Sequence, residues 1–486
     1  MADPFSLLPL SIAAHDGRVD GFEAQQLVAA GLTLLKRSAP VVRALSGKRS
    51  AILLPTSPAF LVALAASEGR GAVLINPLAS PFEIAHQLAD ANVGAVFTNA
   101  PLAEGLPASI PRVLLDDAPA RAQVLIDGTA RDVDLGAHLG MPIEGDADAA
   151  GSDDEAVIVY TSAMAGRALG AILSHRNLLS NARATVVVAG LAAEDRILAV
   201  LPFSHLFGLN ATCAAALLAG GSVVTMSRFS PSRALEFIAN GNITTMIGVP
   251  TVFHALLAAM ERRGSSAVGA LRTCICGGGP LALTLQNRWF DIVGVELREG
   301  YGLTEAGPVS LFNRVDRPSV RGTLGVPVPG VDVELFEPIT FDAIGRAKIP
   351  ATHSPSVAEG EICVRGENVF RGYVSSGELG LSVHDGWLHS GDLGRRNTDG
   401  SITFVGLVKP MFTRNGFNIY PREIERVVRE MPGVERALVR AVPFATNYGE
   451  PDIALEVDGR VGEEDVRRWC AERLSVYKQP TTIQIR

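Results

Sequence analysis

The first half of the chain alternates short apolar runs with stretches of helical period. Residues 50–54, 71–75 and 94–98 read as strands, with helices at 57–66, capped by Ser57, and at 81–89. The rhythm returns with strands at 156–160, 222–225, 245–248 and 272–275. Strand, helix, strand at this spacing requires crossover connections, and so an α/β fold with mostly parallel sheets flanked by helices. Between Ile197 and Ser227 the chain carries no Asp, Glu, Lys or Arg. That is long enough to span a bilayer, but Pro202, Ser204, His205, Asn210, Gly220 and Gly221 interrupt it. A βαβ segment buried in a parallel sheet gives the same pattern, so no transmembrane segment is expected.

From about Val328 the texture changes. Strands at 331–336, 361–364 and 401–405, set off by glycine turns, predict a small β-rich antiparallel subdomain. Beyond Lys409 a helix at 422–430, strands at 437–440 and 453–457 and a helix at 463–474 form a compact α+β pattern. The expected organisation is a large N-terminal domain of residues 1–407 and a small, mobile C-terminal domain of residues 408–486.

Composition narrows the classes of function. The chain has 486 residues, 43 Lys+Arg against 51 Asp+Glu, and a formal charge of −8. With 47% hydrophobic and 19% charged residues it is an ordinary globular protein. The acidic balance argues against nucleic acid, which needs a basic face. Cys213, Cys274, Cys276, Cys363 and Cys470 include no C-x-x-C pair, so neither a disulfide scaffold nor zinc is expected. Reduced thiols fit a cytoplasmic protein. There is no Lys or Arg before Arg18, and so no charged n-region of a secretory signal.

Several strings carry chemistry. A loop after the strand at 156–160 holds Thr161, Ser162, Gly166 and Gly170. Hydroxyl and backbone N–H donors, with glycine allowing close approach, suit phosphate. The loop is expected at the surface. His205 sits in Leu-Pro-Phe-Ser-His-Leu-Phe-Gly; alone, a histidine in such an apolar run reads as a satisfied core residue. Gly277, Gly278 and Gly279 follow a buried strand, and alone would be a turn. Glu299-Gly-Tyr-Gly-Leu-Thr-Glu305 places Tyr301, Gly302, Thr304 and Glu305 together. Later come Gly360-Glu-Ile-Cys-Val-Arg-Gly366, Gly372-Tyr373, Gly386-Trp-Leu-His-Ser-Gly-Asp392 and a segment from Gly406 through Lys409 to Gly416. Glu361 and Arg365 read as structural.

In this order, from about Ala51 to Pro480, these strings resemble the adenylate-forming superfamily of acyl-CoA synthetases, luciferases and adenylation domains, and come nearest to acyl- or aryl-CoA ligases. The resemblance implies that the loop after Thr161 wraps the ATP phosphates and that His205 lines the acyl pocket. It implies that Gly277–Gly279 border adenine and that Tyr301 lies against it. Thr304 would contact phosphate, Glu305 would hold Mg²⁺, and Asp392 would accept both ribose hydroxyls. Lys409 falls at the family's hinge, and Gly416 beside its pantetheine tunnel. Three catalytic positions depart from the pattern: Leu169, Leu407 and the final lysine. The loop reads Ala163-Met-Ala165, with Ala168 and Leu169 where the family has proline and lysine, and Leu407 replaces an arginine that touches ribose. Tyr477-Lys-Gln-Pro480 resembles the segment shortly before a final catalytic lysine; Lys478 is not its equivalent, and Arg486 is reached first.

The activity implied is ATP-dependent ligation of a fatty or aromatic monocarboxylic acid to CoA through acyl-AMP, with ATP, Mg²⁺ and CoA as cofactors. Two alternatives stand beside it: transfer of the acyl group to a carrier protein or an amine, and a member with weakened catalysis that binds acyl-AMP or acyl-CoA.

Overall fold

The computed structural model of the chain describes residues 8–67, 71–116, 121–126, 129–135, 151–161, 168–264, 268–338, 340–341, 347–348, 355–356, 358–374, 383–408, 411–443 and 451–486. Among them, one sheet of eight strands runs in the order Leu169–Ser174, Glu155–Thr161, Ala72–Leu74, Arg49–Leu53, Val93–Thr98, Arg112–Leu115, Arg121–Ile126, Thr129–Asp134. Its centre is parallel and its two ends are antiparallel. The centre reads as unbroken apolar runs because it is covered on both faces. The helix Pro58–Ala66 is buried all round, for it lies between the sheet and the outer helix Ala24–Arg37.

A second sheet of nine strands is ordered Val326–Pro327, Val309–Phe312, Leu297–Gly302, Thr273–Cys276, Thr245–Gly248, Arg196–Ala199, Ser222–Thr225, Arg18–Val19, Phe22–Glu23. Its middle is parallel, and its outermost strands at either side are two residues long. The uncharged stretch resolves as expected into the parallel pair Arg196–Ala199 and Ser222–Thr225, joined by short helices and a π-helical turn at Leu209–Ala214. No helix among the described residues is long and apolar enough to cross a membrane.

A third, antiparallel sheet is built on Val331–Phe336, Glu359–Gly366, Trp387–Arg396 and Ile402–Leu407. The last 70-odd residues are α+β: Val434–Val442, Asp452–Gly459 and Thr482–Ile485 pair into a sheet, packed by Pro421–Arg429 and Glu463–Arg473 around Ile424, Val428, Leu455 and Val466. This core is a cluster of its own. A buried ion triad ties it to the first sheet's helix Pro81–Asp90. Lys478 Nζ donates to Glu83 Oε1 (2.9 Å) and to Glu423 Oε1 (2.8 Å), and the Ser475 hydroxyl bonds Glu83. Burial alone would lower the ammonium's pKa, but Glu423 and Glu83 outweigh it and hold Lys478 charged. Burial alone would raise that of Glu83; Lys478 and Ser475 reverse the sign. Phe417 stacks on Tyr477 with ring centroids 4.1 Å apart, linking this triad to the segment that carries Gly416.

Candidate active site

A cavity of about 460 Å³ opens at the carboxyl ends of Thr245–Gly248, Thr273–Cys276 and Leu297–Gly302, roofed by the antiparallel sheet and by residues 411–418. Parallel strands direct their loops to this edge, which is where open α/β sheets form crevices. His205, Gly277, Gly278, Gly279, Tyr301, Gly302, Thr304, Asp392 and Gly416 all line it. Residues scattered over more than 200 positions of sequence are thereby brought to one wall.

Two of the glycines are required by geometry. A Cβ on Gly302 would lie 1.7 Å from the Pro308 carbonyl oxygen, where the chain folds back into Val309–Phe312. Gly416 has φ +77°, and a Cβ there would sit 2.6 Å from Val249 Cγ1. His205 caps the short helix Leu206–Gly208; its Nδ1 accepts from the Phe207 N–H (3.2 Å), so the neutral ring carries its proton on Nε2. Burial pushes its pKa down to about 4.

Tyr301 and Asp392 meet directly: the phenol donates to Asp392 Oδ2 at 2.7 Å. Burial first, then the Asp392 charge, raises the phenol's pKa well above its usual value. Glu305, 5% exposed, lies in the short turn Thr304–Ala306. Its Oε1 accepts from the Thr161 hydroxyl (3.2 Å) and from the Tyr373 hydroxyl (2.8 Å). Thr161, at the end of Glu155–Thr161, is thus joined to Glu305 rather than to the cavity lining itself. Ser162, Gly166 and Lys409 lie outside the described residues.

One expectation is corrected. Leu169 is not on a surface loop. It begins the strand Leu169–Ser174 and is 2% exposed. Its cross-strand partner is Thr161, and directly opposed residues share a face. The face that aims Thr161 at Glu305 therefore also carries the leucine. The second departure, Leu407, is the cross-strand partner of Asp392, and both line the cavity. Two residues were missed. Tyr373 belongs to a Gly-Tyr string that carried no role. Glu299 lines the cavity; burial raises its pKa to about 8, against a bond from the Leu281 N–H, so its carboxyl is mostly protonated at neutral pH. Its strand, Leu297–Gly302, also carries Arg298, so nothing local set this acid apart.

Comparison with known proteins places this geometry. A family model described as AMP-binding enzyme matches residues 43–374. A feruloyl-CoA synthase from Amycolatopsis sp is 34% identical over 445 residues, 90% of this chain and 84% of the relative. A 4-coumarate–CoA ligase 1 from Oryza sativa subsp. japonica is 28% identical over 98% of this chain and 86% of its own. Among solved structures, an o-succinylbenzoate CoA synthetase double mutant from Bacillus subtilis, bound with a product analogue, superposes with a TM-score of 0.75 at 23% identity, covering 97% of this chain and 91% of that one. At that identity the likeness speaks for the fold, which is the two-domain fold of adenylate-forming enzymes. The family match over two thirds of the chain and the 34% relative settle the family: the chain belongs to the AMP-binding enzymes.

Proposed function

We propose that this ATP-dependent acyl-CoA ligase, working through acyl-AMP, takes an aromatic monocarboxylic acid. The observation that carries the reading is the cavity. Its apolar walls include Ile247, Ile275, Val309, Phe312 and Leu324. No Lys or Arg appears among its described lining residues, and His205 is neutral, so a second carboxylate would find no partner. The feruloyl-CoA synthase relative narrows the acid to the arylpropenoate class.

In this reading Asp392 accepts from the ribose diol, Tyr301 and Gly277–Gly279 flank adenine, and Thr304 donates to the phosphate that the acid attacks. Glu305 offers a buried carboxylate next to the Thr161 hydroxyl, a set of oxygen donors that suits Mg²⁺. Such an ion, when bound, neutralises charge on the phosphates. His205 stays neutral beside the reacting carboxylate, and the apolar walls exclude water from the acyl-AMP. The CoA thiol then displaces AMP, entering past Gly416. Residues 408–486 turn as a unit about Lys409 between the two steps. The five cysteines are buried and none is in a disulfide, which supports a cytoplasmic setting.

The test is CoA thioester formation with ferulate, 4-coumarate, benzoate, palmitate and malonate as acids. An arylpropenoate is expected to have the highest kcat/KM. Palmitate or malonate ahead by tenfold would overturn the reading.

A further inference from the structure

Asp392 reaches the cavity because its strand is irregular. Between Glu359–Gly366 and Trp387–Arg396 the register pairs Cys363 with His389 but Glu361 with Leu393. One residue on the first strand, Ile362, therefore faces three on the second: Ser390, Gly391 and Asp392. A bulge of this kind lifts residues out of the ladder and strands their backbone donors. Gly391 takes φ +74° at its crest.

The stranded donor has a dedicated acceptor. Glu361 Oε1 accepts from the Gly391 N–H at 2.8 Å, and its Oε2 pairs with His389 Nδ1 at 3.0 Å. Glu361, His389 and Ser390 are each 0% exposed, and Ser390 Oγ accepts from the Asp392 N–H at 3.0 Å. A carboxylate in a sheet interior is unfavourable unless its bonds are specific. Here one of its oxygens holds the crest of the bulge and the other the residue that leads into it. The same group, with Cys363, has a composition that could ligate a metal. Yet its atoms already satisfy one another, and burial keeps the Cys363 thiol protonated by raising its pKa. Support of the bulge accounts for the cluster without an ion.

We propose that Glu361 is a positioning residue for nucleotide binding: by bracing Gly391 and His389 it fixes the bulge that presents Asp392 to the ribose diol. The inference rests on the reading of Asp392 as the ribose acceptor. It assigns no contact between Glu361 and the nucleotide; the effect passes through the backbone of Gly391.

Calorimetry with AMP and with 2′,3′-dideoxy-AMP separates a positioning role from a merely structural one. The unaltered protein should prefer AMP. In Glu361→Ala that preference should fall about tenfold, the scale for losing an outer partner that orients a binding group. Affinity for the dideoxy nucleotide and the KM for the acid should stay within about twofold. Glu361→Gln fills the same volume and still accepts from Gly391, so its preference should fall by roughly threefold, and it carries the test if the alanine variant fails to fold. Full preference for AMP in a folded Glu361→Ala, or in Glu361→Gln if only that folds, overturns the inference alone. Equal affinities in the unaltered protein would remove the ribose grip, and the inference with it.

Discussion

Replacing Leu169 by lysine puts a cation where the strand register already points. Leu169 is directly opposite Thr161, whose hydroxyl lies 3.2 Å from Glu305 Oε1. Opposed Cβ atoms in an antiparallel pair are roughly 4.5–5.5 Å apart, so a lysine stem at 169 reaches the same group. A unit charge at ~4 Å and an effective dielectric of ~20 bounds the interaction near 4 kcal/mol. A charge-assisted hydrogen bond realises about 1.5–3 kcal/mol of this, which is roughly 10- to 150-fold in rate if the contact forms with departing pyrophosphate. The opposing term is stability: Leu169 is 2% exposed, and giving up its burial costs roughly 1.5–3 kcal/mol. The expected result for Leu169→Lys is therefore a lower melting temperature with faster ATP–pyrophosphate exchange, by tenfold or more. Thioester formation from preformed acyl-AMP should change much less, since it does not involve pyrophosphate. A folded variant whose exchange rate equals that of the unaltered protein would refute the argument and detach position 169 from phosphate chemistry.

Leu407→Arg would set a guanidinium across from Asp392 on the cavity wall; AMP should bind about tenfold tighter by calorimetry, from one added charge-assisted contact. Glu299 has a folded pKa of about 8 against 4.5 ordinarily, so the unfolded chain ionises first and stability falls as pH rises from 4.5 to 8. The upper bound is ~5 kcal/mol at basic pH, and Glu299→Gln should recover roughly 1–2 kcal/mol at pH 7.5, with a flatter profile of melting temperature against pH. For the triad of Glu83, Lys478 and Glu423, Glu83 is depressed below 4.5, so its contribution is present above that pH and lost as pH falls. Lys478 is raised above 10.5, so its contribution is present below that pH and lost as pH rises. Docking of residues 408–486 should be level between those limits, and Lys478→Met should loosen it by about 3–5 kcal/mol, seen as faster proteolysis near 408.

The parallel strands were legible because burial on both faces leaves an unmistakable run: Ser222–Thr225 and Thr245–Gly248 have the bounds that their apolar residues predict. Strings such as Tyr301 to Glu305 were legible through resemblance, and the cavity gathers most of them at one wall. What escaped depends on distant partners. The short apolar run at 168–173 was assigned to the loop; its pairing with Thr161 and the neighbouring backbone of residues 371–374 make it a strand. The two-residue strands Arg18–Val19 and Phe22–Glu23 are too short for any period and exist because Ser222–Thr225 offers an edge. Lys478 carried no role beyond not being the final lysine's equivalent, and its carboxylates come from two remote helices.

The way the sheets end bears on how the protein behaves in a crowded solution. A long, flat strand edge is a template for a foreign chain, and association begins there. The nine-stranded sheet stops at Phe22–Glu23 on one side and at Val326–Pro327, which has a proline, on the other. Either edge offers a newcomer scarcely one pair of bonds. The eight-stranded sheet ends in Thr129–Asp134, largely exposed and carrying Arg131, Asp132 and Asp134, whose charges a docking apolar strand would have to desolvate. Its other end, Leu169–Ser174, is sealed by backbone bonds to Gly372, Arg371 and Val374. Among the described residues, the two large sheets thus present almost no free ladder to their neighbours. Cutting the 371–374 seal, rather than altering the cavity, is the change that would turn this enzyme toward aggregation.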